Sequence, residues 1–245
     1  MQCRSPEKGL TSVHLKVIKA FEGIMHQLKE GESVKLFRID SPFMRALNRI
    51  ADIMIVNLLF VICSIPVLTI GAAAVAAYKV TQDMVFKTEN SIVRSFFRAF
   101  RLNLKYSSVV WIVLLLLTLL LSFEMYFLLL VSQLKNVTLF SICILIIAIF
   151  LFGLYDYMLP LIARYENTLA QHVKNSFYLF VGNPLRSLIM IVTGVLPIVV
   201  PVVFTEFFLS RFYLWIFFAF GLIFYMHSVL LKPVFVELEE TALKC

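Results

Sequence analysis

The chain has 245 residues, of which 61% are hydrophobic and 15% are charged, and its formal net charge is +7. An average soluble domain is about half apolar and about a quarter charged. This composition therefore excludes an ordinary water-soluble fold.

Long uncharged runs recur along the chain, and each meets the criterion of roughly 18 apolar residues for a transmembrane helix. The runs are continuous and do not alternate, which excludes a closed strand barrel. The sequence therefore predicts an all-α polytopic membrane protein with about six transmembrane helices plus interfacial amphipathic helices. The runs lie near residues 109–123, 137–155, 187–205 and 212–231, and a longer apolar stretch, Ile50 to Val80, is charged only at Asp52 and Lys79.

Residues 1–40 are expected to form a polar N-terminal extension. Apolar residues recur at helical spacing between Val17 and Leu28, with lysines on the other side. This pattern is typical of an amphipathic helix on the inner membrane surface, and the alternative is a helix packed on the protein itself. The first apolar run starts near residue 50, so we expect no cleaved secretory signal and a cytoplasmic amino terminus.

The apolar stretch from Ile50 to Val80 is too long for one straight span, because about 20 helical residues cross a bilayer core of ~30 Å. Pro66 interrupts it, since proline lacks an N–H and clashes with the preceding helical turn. Both flanks are equally basic, and the positive-inside tendency therefore favours a hairpin that returns both flanks to the cytoplasm. The alternative is one broken span, which reduces the total from six spans to five.

The second half of this hairpin begins with small residues, which let another backbone approach closely in lipid. We therefore expect this face to pack against a neighbouring helix and to serve as a contact surface. The helix-packing face consists of Gly71, Ala72, Ala73 and Ala76.

Residues 88–106 predict a separate interfacial helix with one basic and one aromatic stripe. Such a helix places its rings at the acyl boundary and its cations among anionic lipid head groups. The alternative is a solvated basic face packed on the helix bundle. The residues expected to contact head groups, called the basic stripe below, are Arg94, Arg98, Arg101 and Lys105.

Four further spans are predicted, and a weakly amphipathic segment, Leu169–Val181, lies between the second and the third of them. Lys232 and Pro233 are expected to close the last span. The predicted domains are the extension 1–40, a transmembrane domain 41–236 and an acidic cytoplasmic tail 237–245. The four spans cover about Tyr106–Val131, Val137–Ala163, Leu185–Leu209 and Phe212–Leu231.

Three polar residues inside apolar runs form the candidate intramembrane polar site, because an ionisable group within a span is a functional candidate by default. They are Asn57, Asp156 and His227. No second ligand lies at helical spacing from His227, so a hydrogen-bonded imidazole is expected there and no metal site. His172 is expected to lie in a polar loop.

The sequence contains no nucleotide loop, nucleophile elbow or metalloprotease pair, and its four cysteines show no metal spacing. We therefore predict no catalytic residue, no cofactor and no enzymatic activity. The basic residues flank apolar spans and have no soluble domain to sit on, so nucleic acid is not an expected partner.

Six short motifs are distributed along the chain. They are Phe37-Arg-Ile-Asp-Ser-Pro-Phe43, Asn57-Leu-Leu59, Ile65-Pro-Val-Leu-Thr-Ile-Gly-Ala-Ala73, Ser95-Phe-Phe-Arg-Ala-Phe100, the stretch from Lys105 to Trp111, and Leu159-Pro-Leu-Ile-Ala-Arg-Tyr-Glu-Asn167. With these motifs, residues 35–240 resemble the YesL-like family of bacterial integral membrane proteins, a domain of unknown function. The resemblance implies a multi-pass protein of the bacterial plasma membrane, often encoded beside carbohydrate-uptake systems, and it implies no established reaction.

Two functions are consistent with these observations. The first is a non-enzymatic accessory or regulatory component linked to carbohydrate uptake, which would contact a sugar-transport system or another membrane protein through the helix-packing face and the basic stripe. The second is a small-solute transporter or channel, indicated by the broken hairpin, by prolines in the span near residues 185–209, and by Asp156. An intramembrane enzyme is a third class with no positive feature in the sequence.

Overall fold

The computed structural model describes residues 42–88, 91–130, 137–203, 205 and 215–244. Within these ranges every regular element is a helix, so the predicted all-α class is confirmed. The amphipathic helix expected between Val17 and Leu28 lies outside the described residues.

Seven α-helices follow one another along the described chain. A 3₁₀ turn, Val67–Thr69, precedes the second helix, and a π-helical turn, Trp215–Ala219, precedes the last. Residues Asp52–Cys245 form one compact unit, which contains all the contacts discussed below, and Met1–Ala51 belong to another. The helices are α1 Pro42–Cys63, α2 Ile70–Phe86, α3 Ile92–Leu130, α4 Val137–Arg164, α5 Leu169–Gly182, α6 Pro184–Val203 and α7 Phe220–Lys244.

Four helices of the described chain are long and apolar enough to cross a membrane, which makes this a membrane protein. A fifth candidate arises if α5 and the start of α6, bent by 107° at their junction, are counted as one broken span. Helix α2 has 17 residues and is not among the candidates. By length and composition, the described helices therefore provide four or five candidate spans, fewer than the six that the sequence predicts. The four candidates are Phe43–Cys63, Ile92–Leu128, Thr138–Arg164 and Phe217–Thr241.

The separate interfacial helix expected over residues 88–106 is wrong. The basic stripe lies on the first turns of α3, a continuous helix of 39 residues. The reason is local: neither glycine nor proline separates the stripe from the apolar run, so nothing ends the helix.

The expected end of the last span at Pro233 is also wrong, because α7 continues through this proline to Lys244. The contacts beyond Pro233 explain the continuation. Val234 and Phe235 are buried, and Glu239 Oε1 accepts hydrogen bonds from Arg164 Nε at 2.7 Å and from the Tyr165 hydroxyl at 3.2 Å. Burial raises the pKa of the Tyr165 phenol, which stays protonated and remains a donor.

The predicted break at Pro66 is present, between the end of α1 and the start of α2. Thr69 occupies the N-cap position of α2 but makes no capping hydrogen bond. Its hydroxyl instead faces the carbonyl oxygens of Cys63 at 2.6 Å and Pro66 at 2.7 Å. Thr69 therefore closes the turn between the two helices.

Helices α2 and α3 form a tightly packed antiparallel pair. At one end the Ser95 hydroxyl donates to Asp83 Oδ2 at 3.3 Å, and at the other Trp111 Nε1 donates to the Val67 carbonyl oxygen at 2.8 Å. The α3 residues beyond Trp111 extend about 28 Å past this level, at ~1.5 Å per residue. The first half of α3 therefore runs beside α2, and the second half extends beyond the hairpin tip.

The close approach of α2 and α3 predicts that Gly71→Ala is destabilising. A Cβ at Gly71 would lie 2.5 Å from the Ser107 carbonyl oxygen and 2.7 Å from Trp111 Cβ, and backbone cannot yield as a flexible side chain can. We expect a loss of about 1–3 kcal/mol, typical of overpacking, measured by thermal unfolding in detergent. Gly182→Ala is the matched control, because a Cβ there meets nothing within 4 Å. Equal unfolding temperatures for both variants would contradict the packing described here.

Candidate functional site

Four polar side chains from four different helices meet in the interior. Tyr78 comes from α2, Asp156 from α4, Thr193 from α6 and His227 from α7. The His227 ring is bonded at both nitrogens, with Nδ1 2.8 Å from the Tyr78 hydroxyl and Nε2 2.7 Å from the Thr193 hydroxyl. Asp156 Oδ1 lies 3.4 Å from the Tyr78 hydroxyl and 3.5 Å from His227 Nδ1. We call these four residues the polar cluster.

The hydrogen-bond distances limit where the hydrogen atoms of the polar cluster can lie. A threonine hydroxyl has one hydrogen, and the Thr193 oxygen lies 2.7 Å from both the Ile189 carbonyl oxygen and His227 Nε2. When Thr193 donates to Ile189, its oxygen accepts a hydrogen bond from Nε2–H of the imidazole. The state of Nδ1 then depends on the Tyr78 hydroxyl.

Two arrangements satisfy this inventory. In the first, the Tyr78 hydroxyl donates to Nδ1 of His227. In the second, Nδ1–H donates to the Tyr78 oxygen, and the Tyr78 hydroxyl donates to Asp156 Oδ1. The short distance of 2.8 Å from Tyr78 to His227, against the long 3.4 Å to Asp156, matches the first arrangement.

The two arrangements interconvert by moving two hydrogens. A proton on Asp156 passes to the Tyr78 oxygen while the Tyr78 hydrogen passes to His227 Nδ1, so one positive charge moves from Asp156 to His227 and the total charge of the cluster is unchanged. The cluster can therefore relay a proton between two titratable groups within the helix bundle, and Tyr78 is the connecting residue.

The second carboxylate oxygen of Asp156 is not used by the polar cluster. Asp156 is 7% exposed, and its Oδ2 has no hydrogen-bond partner among the residues that the structure describes. It faces Gly194, where a Cβ would lie 3.6 Å from Oδ2. Because buried polar atoms are usually paired, this oxygen marks a position at which a donor is missing.

Further hydrogen bonds hold the helices around the cluster. The Thr81 and Ser228 hydroxyls, which follow on α2 and α7, lie 2.8 Å apart. Gln82 Nε2 donates to the Pro160 carbonyl oxygen at 2.9 Å and so joins α2 to α4. These contacts fix the register of α2 against α7 and α4.

Two members of the polar cluster lie four residues before a proline in the same helix. Pro160 follows Asp156 in α4, and Pro197 follows Thr193 in α6. A proline lacks the N–H that would bond the carbonyl of the residue four positions earlier. The backbone carbonyls of Asp156 and Thr193 therefore lose their usual helical donor, and prolines at such positions bend helices.

The candidate polar residues of the sequence are brought together in part. Asp156 and His227 belong to the same cluster. Asn57 does not: its Oδ1 accepts a hydrogen bond from the Gly221 N–H at 2.6 Å, two residues after the π-helical turn of α7. A Cβ at Gly221 would lie 2.6 Å from the Ile53 carbonyl oxygen, so Asn57 lies at a close crossing of α1 and α7.

The structure places the helix-packing face inside the molecule. Gly71, Ala72, Ala73 and Ala76 are all buried, and α3 covers Gly71. This face is therefore occupied by the chain itself and is not a free surface. The four residues of the basic stripe are exposed, and within the described ranges none has an ion-pair partner.

Sequence reasoning missed Tyr78 and Thr193. Tyr78 is 1% exposed and follows the alanine run of α2. A lone phenol at the end of a small-residue face is the signal that could have identified it.

The expectation that His172 lies in a polar loop is wrong. His172 is buried on α5, and the centroid of the Tyr106 ring lies 6.1 Å from that of its imidazole. Among the described residues no group of three or more metal-ligating side chains comes together.

Residues 53–125 match the family described as "Protein of unknown function, DUF624". This is the YesL-like family, so the resemblance noted in the sequence is confirmed over that segment. No curated protein and no solved structure matched the chain. Of the polar cluster, Tyr78 lies inside the matched segment, and the other three residues follow it.

Proposed function

From the premise that residues 53–125 form a DUF624 domain, we propose that the chain is a non-enzymatic protein of the bacterial plasma membrane that moves a small solute and couples this movement to a proton. The observation that carries the proposal is the polar cluster. Ionisable residues within membrane bundles are costly and mark substrate or proton pathways. Here two of them, Asp156 and His227, are connected by one hydroxyl.

The placement of the helix-packing face favours transport over docking. The accessory function depends on contact with another membrane protein, and one of its two expected surfaces, Gly71 to Ala76, is buried inside this chain. The polar cluster, in contrast, has the features of a moving site: four helices contribute to it, and two of them carry a proline one turn away.

The topology that we infer has four crossings and a re-entrant hairpin. The hairpin tip, Val67–Thr69, lies level with Trp111, and α3 continues about 28 Å beyond it. Because the hairpin stops this far short of the outer end of α3, it does not reach the outer surface of the bilayer. Helices α3, α4, α6 and α7 would then cross, α5 would lie at the inner surface, and both termini would be cytoplasmic.

Reconstitution tests the proposed transport. Purified protein in vesicles that enclose a pH-sensitive dye should move protons when a panel of sugars and organic amines is added outside. Asp156→Asn should lower this flux about 100-fold, the scale of a lost acid–base group. Asp83→Asn is the matched control, because Asp83 pairs with Lys79 at 3.3 Å on the same helix bundle, outside the cluster. Equal flux for both variants would contradict the role of Asp156.

A non-enzymatic accessory role in carbohydrate uptake is the second candidate. It is favoured by the exposed basic stripe, whose cations suit anionic lipid head groups or an acidic face of a transporter. Two results together would replace the transport function with this accessory role. The vesicles show no flux with any solute, and a sugar-transport system co-purifies with the wild type but not with the variant that carries Arg98→Glu and Arg101→Glu.

A further inference from the structure

A cavity of about 590 Å³ lies between α3, α4 and α6, within the range of roughly 300–1,000 Å³ found for small-molecule sites. Its lining is almost entirely aliphatic and aromatic. Three of its lining residues, Phe152, Ile191 and Val195, surround Gly194, the residue that the free oxygen of Asp156 faces.

Phe152 separates the cavity from Asp156. A Cβ at Gly194 would lie 3.1 Å from Phe152 Cζ and 3.6 Å from Asp156 Oδ2, so the Phe152 ring and the carboxylate both pack closely against this glycine. A rotation of the Phe152 side chain would join the cavity to the unpartnered oxygen.

The lining disfavours a sugar as the ligand of this cavity, because only three of its residues, Thr118, Ser122 and Tyr126, carry a polar side-chain atom other than sulfur. The hydroxyl hydrogens of Thr118 and Ser122 are donated to the carbonyl oxygens of Leu114 at 2.9 Å and Thr118 at 2.7 Å, within their own helix. A sugar would bring several hydroxyls that need partners, and each one left unpaired in a buried site costs about 1–3 kcal/mol. An apolar body carrying one positive charge needs a single acceptor, which is what Asp156 offers.

We propose that this cavity binds an organic monocation with an apolar body, and that the cation is held by Asp156 Oδ2 after Phe152 has moved. This names the solute class of the proposed transport and rests on that function. The cation and the relayed proton then compete for one carboxylate. When the cation binds, a proton on Asp156 passes to the Tyr78 oxygen while the Tyr78 hydrogen passes to His227 Nδ1.

Equilibrium binding to the purified full chain tests the ligand class separately from transport. Tetraphenylphosphonium should bind, and tetraphenylborate, which has the same shape and the opposite charge, should not. Asp156→Asn should weaken the binding of the cation at least about tenfold, the scale of a lost attraction between two opposite charges in a partly buried site. Ile191→Trp, which fills the cavity from its wall and leaves the carboxylate in place, should weaken it as well.

Two results would overturn this inference. The first is equal binding of cation and anion, which would mark the cavity as a place for a lipid acyl chain. The second is unchanged binding of tetraphenylphosphonium in both Asp156→Asn and Ile191→Trp. A wild type that binds the cation selectively but moves no solute in vesicles would retain the site and refute the transport function, so the two failures are distinguishable.

Discussion

Tyr78→Phe is expected to abolish proton-coupled flux while leaving the fold intact. The change removes one oxygen atom, and with it the connection between Asp156 Oδ1 and His227 Nδ1, which are themselves 3.5 Å apart. The Tyr78 ring keeps its edge contact with Phe224, at a centroid distance of 4.8 Å. We expect solute-driven proton movement in vesicles to fall about 100-fold.

Tyr155→Phe is the control for this variant. Tyr155 is also a buried tyrosine, it lies next to Asp156 in the chain, and its ring contacts Trp111 at 6.0 Å. No hydrogen bond joins it to the cluster among the described residues. Equal losses of flux in the two variants would show that bulk packing, and not the relay, controls the activity.

The second prediction with a large expected effect is that the hairpin tip, Val67–Thr69, cannot be labelled from outside the membrane. In a background without the native cysteines, a cysteine in place of Leu68 is expected to resist a membrane-impermeant maleimide added from outside. Leu68 is 58% exposed within the protein, so protection would come from the bilayer or from an inward position. A cysteine in place of Leu130, at the far end of α3, should be labelled completely from outside.

Six spans make the opposite prediction for Leu68. If α1 and α2 both crossed the bilayer, the turn between them would face the outside, and the two cysteines would be labelled from the same side at similar rates. A cysteine in place of Arg101 provides the inner reference, because the basic stripe is expected in the cytoplasm. Labelling of Leu68→Cys together with Leu130→Cys would refute the re-entrant hairpin.

The helical elements of this protein are readable from its sequence where a local signal exists. Pro66 predicts the break before α2 because proline ends helices by its own chemistry. The junction between the basic stripe and the apolar run carries no such signal, and inferring a break from the change in polarity alone produced a wrong boundary. Polarity tells which environment a helix faces, whereas propensity and capping decide where it ends.

The candidate site is readable in part, for a similar reason. Asp156 and His227 stand out because a titratable group in an apolar run is costly in any fold. Tyr78 and Thr193 are compatible with a lipid-facing or a core position, so the sequence does not single them out. The four residues meet because helices that are distant in the chain pack together. Periodicity predicts which face of a helix a residue occupies, but it does not predict which other helix packs against that face.

The prolines next to the polar cluster link protonation to the shape of the bundle. Pro160 and Pro197 place a bend within one turn of Asp156 and Thr193. Any change in curvature therefore repositions the groups that hold the proton. Because the coupling between two equilibria is reciprocal, a change that straightens α4 or α6 must alter the proton affinity of the polar cluster. Protonation of the cluster must in turn shift the free-energy difference between the bent and the straight helix by the same amount.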